Sequence, residues 1–554
     1  MYLSPTDGGF SWARLIFGII ALIFIPGYCI VQTFFQAKQP IEKIWFSLVF
    51  GLLVQTFNVL VLYSLGSLFF YEQINFGLVI IGLTFSFVFM FCILQTFRRK
   101  NIFNDKNLPL DEKVWIFLRN NKLLIIIWGI AIFSRLFFQN FSFSPPTDSA
   151  LYSEMARNLV TTGNFTSKVI DHMVHFSYNS LGFSSHPFTY FNIAIFFLMG
   201  GTSYLSAKLM IVFYGSLMIF PVYGVANELY GKNVAVIAAM ITSIHPWLIF
   251  FSSALFTGSE ILSALFVITA FYFFLISRKS NRLRDTITTG LFVVLVLGTW
   301  YPNYFVILGV IFFSFMSTLI HRNVEIKKRV IDTCLLVLLF SSLFFVTIIF
   351  VVRPDYYMTT SIPVTVWLFY IIVPILFVFT LIKERKNLWM FNICCLIITI
   401  YLILQFYWIR TFYLTQFLRH AGTVTTLETL QSTWIQYVLS YLVRSIYDFL
   451  NRSYLYWQLT ITYITPVIAI LCLLHFLKIS RWKDNFFLSS FPFFHYLLSI
   501  VIVFSTPYSP QITVIELPFW YRFVVAVAPF YIILSASTLL WLVQAVHSQL
   551  NGER

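Results

Sequence analysis

The densest run of polar chemistry in the chain is SPPTDSALYSEMARNLVTTGNF, residues 144–165. Pro145 and Pro146 stop the apolar segment before it, because proline lacks the amide hydrogen that a helix interior uses. Leu151, Met155 and Leu159 then recur at helical spacing on one face, with Ser153, Glu154, Arg157 and Asn158 largely on others. This spacing predicts a short amphipathic helix lying on a membrane surface, ended by Gly163. Asp148 stands where that helix starts. Asp is a favoured N-cap. A carboxylate held in such a place is also suited to take a proton from a hydroxyl. The two roles are compatible, since a cap fixes the side chain and leaves it facing a cavity.

Other groups have chemistry of their own. Glu260 heads an apolar segment, either as an ionisable group kept at membrane depth for function or as a solvated first-turn residue favoured by the helix dipole. Arg522, in Trp520-Tyr521-Arg522, suits bidentate phosphate binding, and the same trio also suits a membrane-edge anchor. His186 precedes Pro187 and is either a substrate contact or a polar residue at a helix start. Asp171, His172 and His175 have a spacing compatible with a metal, yet two interfacial histidines beside an incidental Asp read more simply, and no metal site is expected. Arg353, Arg410, Arg419, His420, Arg444 and Arg452 add further cations in loops.

The elements that must position these groups are membrane helices. The chain of 554 residues is 59% hydrophobic and 10% charged, against about 25% charged in soluble domains. Its mean hydropathy is +0.84. A water-soluble fold has no means of hiding so much apolar surface. Apolar spans are read at 12–34, 44–67, 74–97, 123–141, 204–226, 234–250, 259–277, 286–300, 303–320, 330–352, 362–382, 388–409, 459–478, 485–505 and 521–545. The net charge of +15 sits mostly in short basic clusters between them, as the positive-inside rule predicts, so no nucleic-acid partner is expected. All six cysteines lie in apolar segments, so neither a disulfide framework nor a cysteine metal site is expected. No cleavable signal pattern is expected either.

Five basic clusters, within 98–122, 278–284, 322–329, 383–386 and 478–483, all face one side only if one apolar stretch fails to cross. The stretch 187–200, PFTYFNIAIFFLMG, is too short for a bilayer and reads as a re-entrant or interfacial helix. Loops 142–186, 251–258, 353–361, 410–458 and 506–520 then fall outside the cytoplasm, with a further interfacial helix in 430–450. The expected organisation is an N-terminal three-helix membrane extension (1–97), a basic cytoplasmic linker (98–122) and one membrane block (123–554). No soluble domain and no clear internal repeat is seen.

The run from Asp148 to Leu159, followed by Gly163-Asn164-Phe165, resembles the first-loop signature of the GT-C superfamily, in particular its protein O-mannosyltransferase and lipid A aminoarabinose-transferase branch. Ser185-His186-Pro187-Phe188 is similar to that branch's His/Lys-Pro-Pro step into a short membrane helix. Ala226-Asn227-Glu228-Leu229-Tyr230-Gly231 resembles its cytoplasmic turn, and Leu255 to Glu260 the place of a second acidic residue. Arg522-Phe523 with Pro529 resembles the start of a late helix. Ser149 stands where many protein O-mannosyltransferases have Glu, and Glu260 where Asp is common.

The resemblance implies an all-α, polytopic GT-C-like bundle with a cavity at the outer membrane surface. It implies transfer of a monosaccharide from a polyprenyl-phosphate donor to a hydroxyl on a glycan, lipid or protein acceptor, with inversion. Asp148 and Glu260 are then the catalytic candidates, and Arg522, His186, Tyr152 and Arg353 the substrate-binding ones. No cofactor is expected. The chain has no Asp-x-Asp motif, which speaks against a metal-bound nucleotide sugar. A polysaccharide polymerase or O-antigen ligase would instead use the 410–458 loop. An ion-coupled transporter would need charges at mid-span, and these are nearly missing.

Overall fold

The computed structural model describes residues 11–35, 40–69, 76–99, 110–137, 147–162, 187–253, 259–280, 282–299 and 527–550, with a few single residues between. The described chain is all-α, and no strand occurs among these residues. Its helices are α1 (Trp12–Phe34), α2 (Pro40–Phe69), α3 (Phe76–Arg99), α4 (Leu110–Phe137), α5 (Thr147–Thr162), α6 (Pro187–Gly200), α7 (Tyr204–Tyr230, interrupted at Met218), α8 (Lys232–Ile244), α9 (Pro246–Ser253), α10 (Ser259–Lys279), α11 (Leu283–Thr299) and α12 (Ala528–Leu550). Within the described residues α1, α2, α3, α7, α10 and α12 contain segments long and apolar enough to cross a membrane. The chain is a multi-pass membrane protein.

Polar contacts sort the helices by their ends. Arg284 at the start of α11 donates to the Phe34 carbonyl at the end of α1, and Lys279 at the end of α10 pairs with Glu228 near the end of α7. These groups share one end of the bundle, called here the Phe34 end. At the other, the Ser11 amide donates to the Gly200 carbonyl at 3.2 Å, beside the start of α7. Because α10 finishes at the Phe34 end, its first residues, Ser259 and Glu260, stand at the Ser11 end.

Helix α6 has only 14 residues, about 21 Å at 1.5 Å per residue, against a hydrocarbon core of about 30 Å. Its first turn rests on the last turn of α11, where Thr189 Oγ1 donates to the Thr299 carbonyl at 3.2 Å. Its last turn rests on the first turn of α1. Both ends of α6 therefore lie in the Ser11 half of the bundle.

Two stretches differ from the sequence expectations. The span expected at 234–250 is two helices, α8 and α9, broken at His245. His245 is extended (φ −64°, ψ 122°), because Pro246 clashes with a helical conformation of the residue before it. Helix α4 begins at Leu110, inside the stretch read as the 98–122 linker. The sequence LDEKVWIFLRN is rich in helix formers.

Helices α1 and α2 cross closely. A Cβ on Gly27 would run into the Ser47 carbonyl, and one on Gly51 into the Ile23 carbonyl. In lipid, where apolar surface gains little by leaving the bilayer, close backbone approach at small residues is a main source of helix association. Pro26 has no N–H to offer the Leu22 carbonyl four residues back, and the helix widens to a π turn at Ile19–Phe24. Gln55 Nε2 from α2 donates to that Leu22 carbonyl, so the freed acceptor is satisfied by a neighbouring helix. An aromatic seam then joins these helices to the rest. Trp45 meets Tyr272 at 5.3 Å, Phe46 meets Phe273 at 5.2 Å, and Phe50 meets Phe292 at 5.7 Å between ring centroids.

Candidate functional site

Helix α4 carries the chain to the Ser11 end, and Arg135 fixes where it arrives. Its guanidinium is fully buried. It donates to the carbonyls of Ala131 (2.9 Å), Ser243 (3.2 Å) and Thr242 (3.4 Å) and to Ser252 Oγ (3.2 Å). Thr242 and Ser243 close α8, whose last carbonyls lack helical partners. A cation there also meets the negative end of the α8 dipole. One side chain thus ties α4 to the break between α8 and α9, and α9 leads towards Glu260.

Helix α5 follows on the same end of the bundle and packs against α6 and α3. Met155 and Leu159 of the face read from sequence are buried, as are Tyr152, Ala156 and Ser153, the last read as lying on another face, while Glu154, Arg157 and Asn158 are half-buried and Thr161 and Thr162 exposed. Asp148 is the second residue of α5. It therefore lies inside the first turn, one residue beyond the helix start, among the orphan N–H groups and the positive end of the dipole. The Tyr152 ring, 6% exposed, packs against Tyr190 of α6.

Glu260 is fully buried as the second residue of α10, and Ser259 Oγ donates to its Oε2 at 3.0 Å. The solvated first-turn reading of Glu260 does not hold. A carboxylate out of water at the head of a membrane helix is costly without a task. Asp148 and Glu260 stand at the same end of the bundle on different helices. Helix α6 lies between their neighbourhoods, packing on α5 from one side and on α7 and α11, the partners of α10, from the other. His186, Arg353 and Arg522 lie outside the described residues, as do Asp171, His172 and His175 and the cations of the 410–458 loop. Among the described residues no cluster of three metal-ligating side chains occurs.

Sequence reading missed Arg135, Asn192 and Tyr214. The signal was present in the first two, as lone strongly polar residues inside apolar runs, IAIFSRLFF and TYFNIAIFF. A small cavity lined by Glu42, Trp45, Tyr223, Asn227, Glu228 and Tyr272 lies at the Phe34 end, away from Asp148.

Residues 184–349 match the family described as dolichyl-phosphate-mannose-protein mannosyltransferase. The matched region takes in α6 to α11. Comparison with curated proteins finds no match. Among solved structures, the Archaeoglobus fulgidus oligosaccharyltransferase complex with zinc and sulfate is 16% identical, with a TM-score of 0.45, over 77% of this chain and 49% of that one. The archaeal oligosaccharyltransferase AglB from the same organism, in complex with an inhibitory peptide and a dolichol-phosphate, is 14% identical, with a TM-score of 0.42, over 79% and 52%. The chain spans about half the length of these structures. The family matched over 184–349 and the one that the first-loop residues resemble are of the same kind, protein mannosyltransferases.

Proposed function

We propose that this protein transfers one monosaccharide from a polyprenyl-phosphate donor to a hydroxyl acceptor, at the extracytoplasmic face of the plasma membrane. The observation that supports the reading is that Asp148 is the second residue of α5, at the same end of the bundle as buried Glu260. The mannosyltransferase family match over 184–349 supports the donor class. An isoprenoid tail stays in lipid while its phosphosugar reaches the Ser11 end.

In this reading Asp148 takes the proton of the acceptor hydroxyl. The oxygen attacks the anomeric carbon, the bond from that carbon to the phosphate oxygen breaks, and polyprenyl phosphate leaves with the bonding pair. A single displacement inverts the anomeric carbon. Arg522 meets the charge growing on the phosphate. Glu260 orients sugar or acceptor, and His186, Tyr152 and Arg353 belong to the substrate-binding surface. The acceptor is a glycan, a lipid or a protein.

The test uses purified protein in lipid, offered polyprenyl-phosphate sugars and nucleotide sugars in parallel, with and without chelator. Turnover of the lipid-linked donor alone, unchanged by chelator, is expected. Turnover of nucleotide sugars overturns the donor assignment. Activity lost to chelator and restored by a divalent metal shifts attention to Asp171, His172 and His175.

A further inference from the structure

We propose that the N-terminal helices α1–α3 are a working part of the catalytic unit, and that Asn192 is the positioning residue through which they hold α5 and Asp148 in place. The proposal rests on the glycosyltransferase reading for its catalytic half and on geometry alone for its structural half.

Helix α6 is the platform under α5, and the N-terminal helices close its open groups. The last four carbonyls of any helix lack helical partners. In α6, the Leu198 carbonyl accepts from Arg14 Nη2 at 2.8 Å and the Gly200 carbonyl from the Ser11 amide at 3.2 Å, both from α1 and its cap. Met199 sits over Gly18, where a Cβ would meet its side chain. Near the other end of α6, Phe188 packs on Phe57 of α2 at 6.3 Å.

Asn192 is the hub of this platform. It is 2% exposed and hydrogen-bonded to three helices. Its Nδ2 donates to Thr56 Oγ1 of α2 at 3.2 Å and to the Phe188 carbonyl at 2.7 Å, and its Oδ1 accepts from Tyr214 Oη of α7 at 2.6 Å. Thr56 Oγ1 passes its own hydrogen to the Leu52 carbonyl at 2.8 Å. A buried amide of this kind has one rotation of α6 that satisfies it, and any other leaves polar atoms bare in a dry interior.

That rotation decides where α5 sits. Tyr190 is two residues before Asn192, about 200° round the helix at 100° per residue. With Asn192 locked to α2 and α7, Tyr190 is turned to the opposite side, where it meets Tyr152 of α5 at 5.3 Å between centroids. Helix α3 adds a direct contact with α5. The chain of support runs Thr56, Asn192, Tyr190, Tyr152, and one helical turn before Tyr152 stands Asp148.

The experiment compares Thr56→Val and Asn192→Leu with wild type, all purified in lipid, by hydrogen–deuterium exchange of residues 147–162 and by steady-state kinetics with a polyprenyl-phosphate sugar. Thr56→Val keeps shape and removes one hydroxyl, so it folds where Asn192→Leu fails to. Faster exchange in 147–162, with other helices unchanged, is expected in each. The expected kcat falls about 3- to 30-fold with donor KM within about twofold, as for a displaced but intact base. Unchanged exchange in 147–162 overturns the proposal. Wild-type kcat in correctly folded variants overturns its catalytic half. If wild type itself turns over no lipid-linked sugar, the proposed function fails and the exchange data alone judge the platform.

Discussion

Tyr152 on α5 packs against Tyr190 on the short helix α6, their ring centroids 5.3 Å apart and their planes at 47°. The pair is the described link between the helix that carries Asp148 and the helix that the rest of the bundle holds. Aromatic contacts of this kind contribute about 0.5–1.5 kcal/mol beyond the area they bury. The ring of Tyr152 therefore has a packing task, whatever its hydroxyl contributes to substrate binding.

Arg135 should be the most sensitive polar position of the described bundle. Arg135→Met fills similar volume and removes four hydrogen bonds, two that close α8, one that holds Ser252 and one back to Ala131 in α4. Leaving buried carbonyls bare costs about 1–3 kcal/mol per group, so a total loss of about 2–4 kcal/mol is expected once partial relaxation is allowed. Thermal unfolding of the purified variant in detergent reads this directly. Arg135→Lys should recover only part of the loss, because one ammonium cannot span the same fork of acceptors. A variant as stable as wild type would show that the break at His245 holds itself.

The Pro26-Gly27 step should be intolerant of side-chain volume. Gly27→Val and Gly51→Val each drive a side chain into a carbonyl of the facing helix, Ser47 or Ile23. Either should part α1 from α2 and expose the N-terminal helices to limited proteolysis. Gln55→Leu should act more mildly, by about 1 kcal/mol, through the Leu22 carbonyl that Pro26 leaves without a helical donor. Proteolytic patterns identical to wild type in both Gly variants would contradict the close crossing.

These positions show what a sequence discloses and what it withholds. The apolar periodicity of α5, the shortness of α6 and most helix limits follow from local rules that act within a few residues. Length, proline and glycine placement and hydropathy all operate at that range. The break at His245 was legible too, since Pro246 forbids the helical conformation before it, yet uniform hydropathy across 234–250 outweighed one proline in the reading. Burial of Glu260 was not legible. A glutamate at a helix head has the same local signature whether water or protein faces it. The hub at Asn192 joins Thr56, Asn192 and Tyr214, residues far apart in sequence, and no local pattern encodes which helix an isolated amide will meet.

Topology can be read with single cysteines. Lys232 at the head of α8 and Thr162 at the end of α5 are both exposed and stand at opposite ends of the bundle. Ser259 would report the same end as Thr162 but is buried. A membrane-impermeant maleimide added to intact cells should label the Thr162→Cys variant and spare the Lys232→Cys variant until the membrane is opened. Labelling of both from outside would remove the two-sided arrangement and, with it, the placement of Asp148 on the outer face.

Asp148→Asn separates a base from a helix-end residue. Asp148 is the second residue of α5, and a carboxylate in a helix's first turn generally gains about 0.3–1 kcal/mol from the dipole. Asn is close in shape and is also a favoured residue at a helix start, but has no carboxylate to accept the acceptor's proton. The variant should therefore fold and insert with a melting temperature close to wild type. Losing a general base typically lowers rate by about 10²–10⁴-fold. Turnover of a polyprenyl-phosphate sugar should fall by that order, with donor KM little changed, because the phosphate and the sugar keep their contacts. Asp148→Ala should lose activity and some stability together, so it cannot separate the two roles. Near-normal turnover in Asp148→Asn would leave Asp148 as a helix-end residue only, and the search for a base would move to Glu260 and to the 410–458 loop.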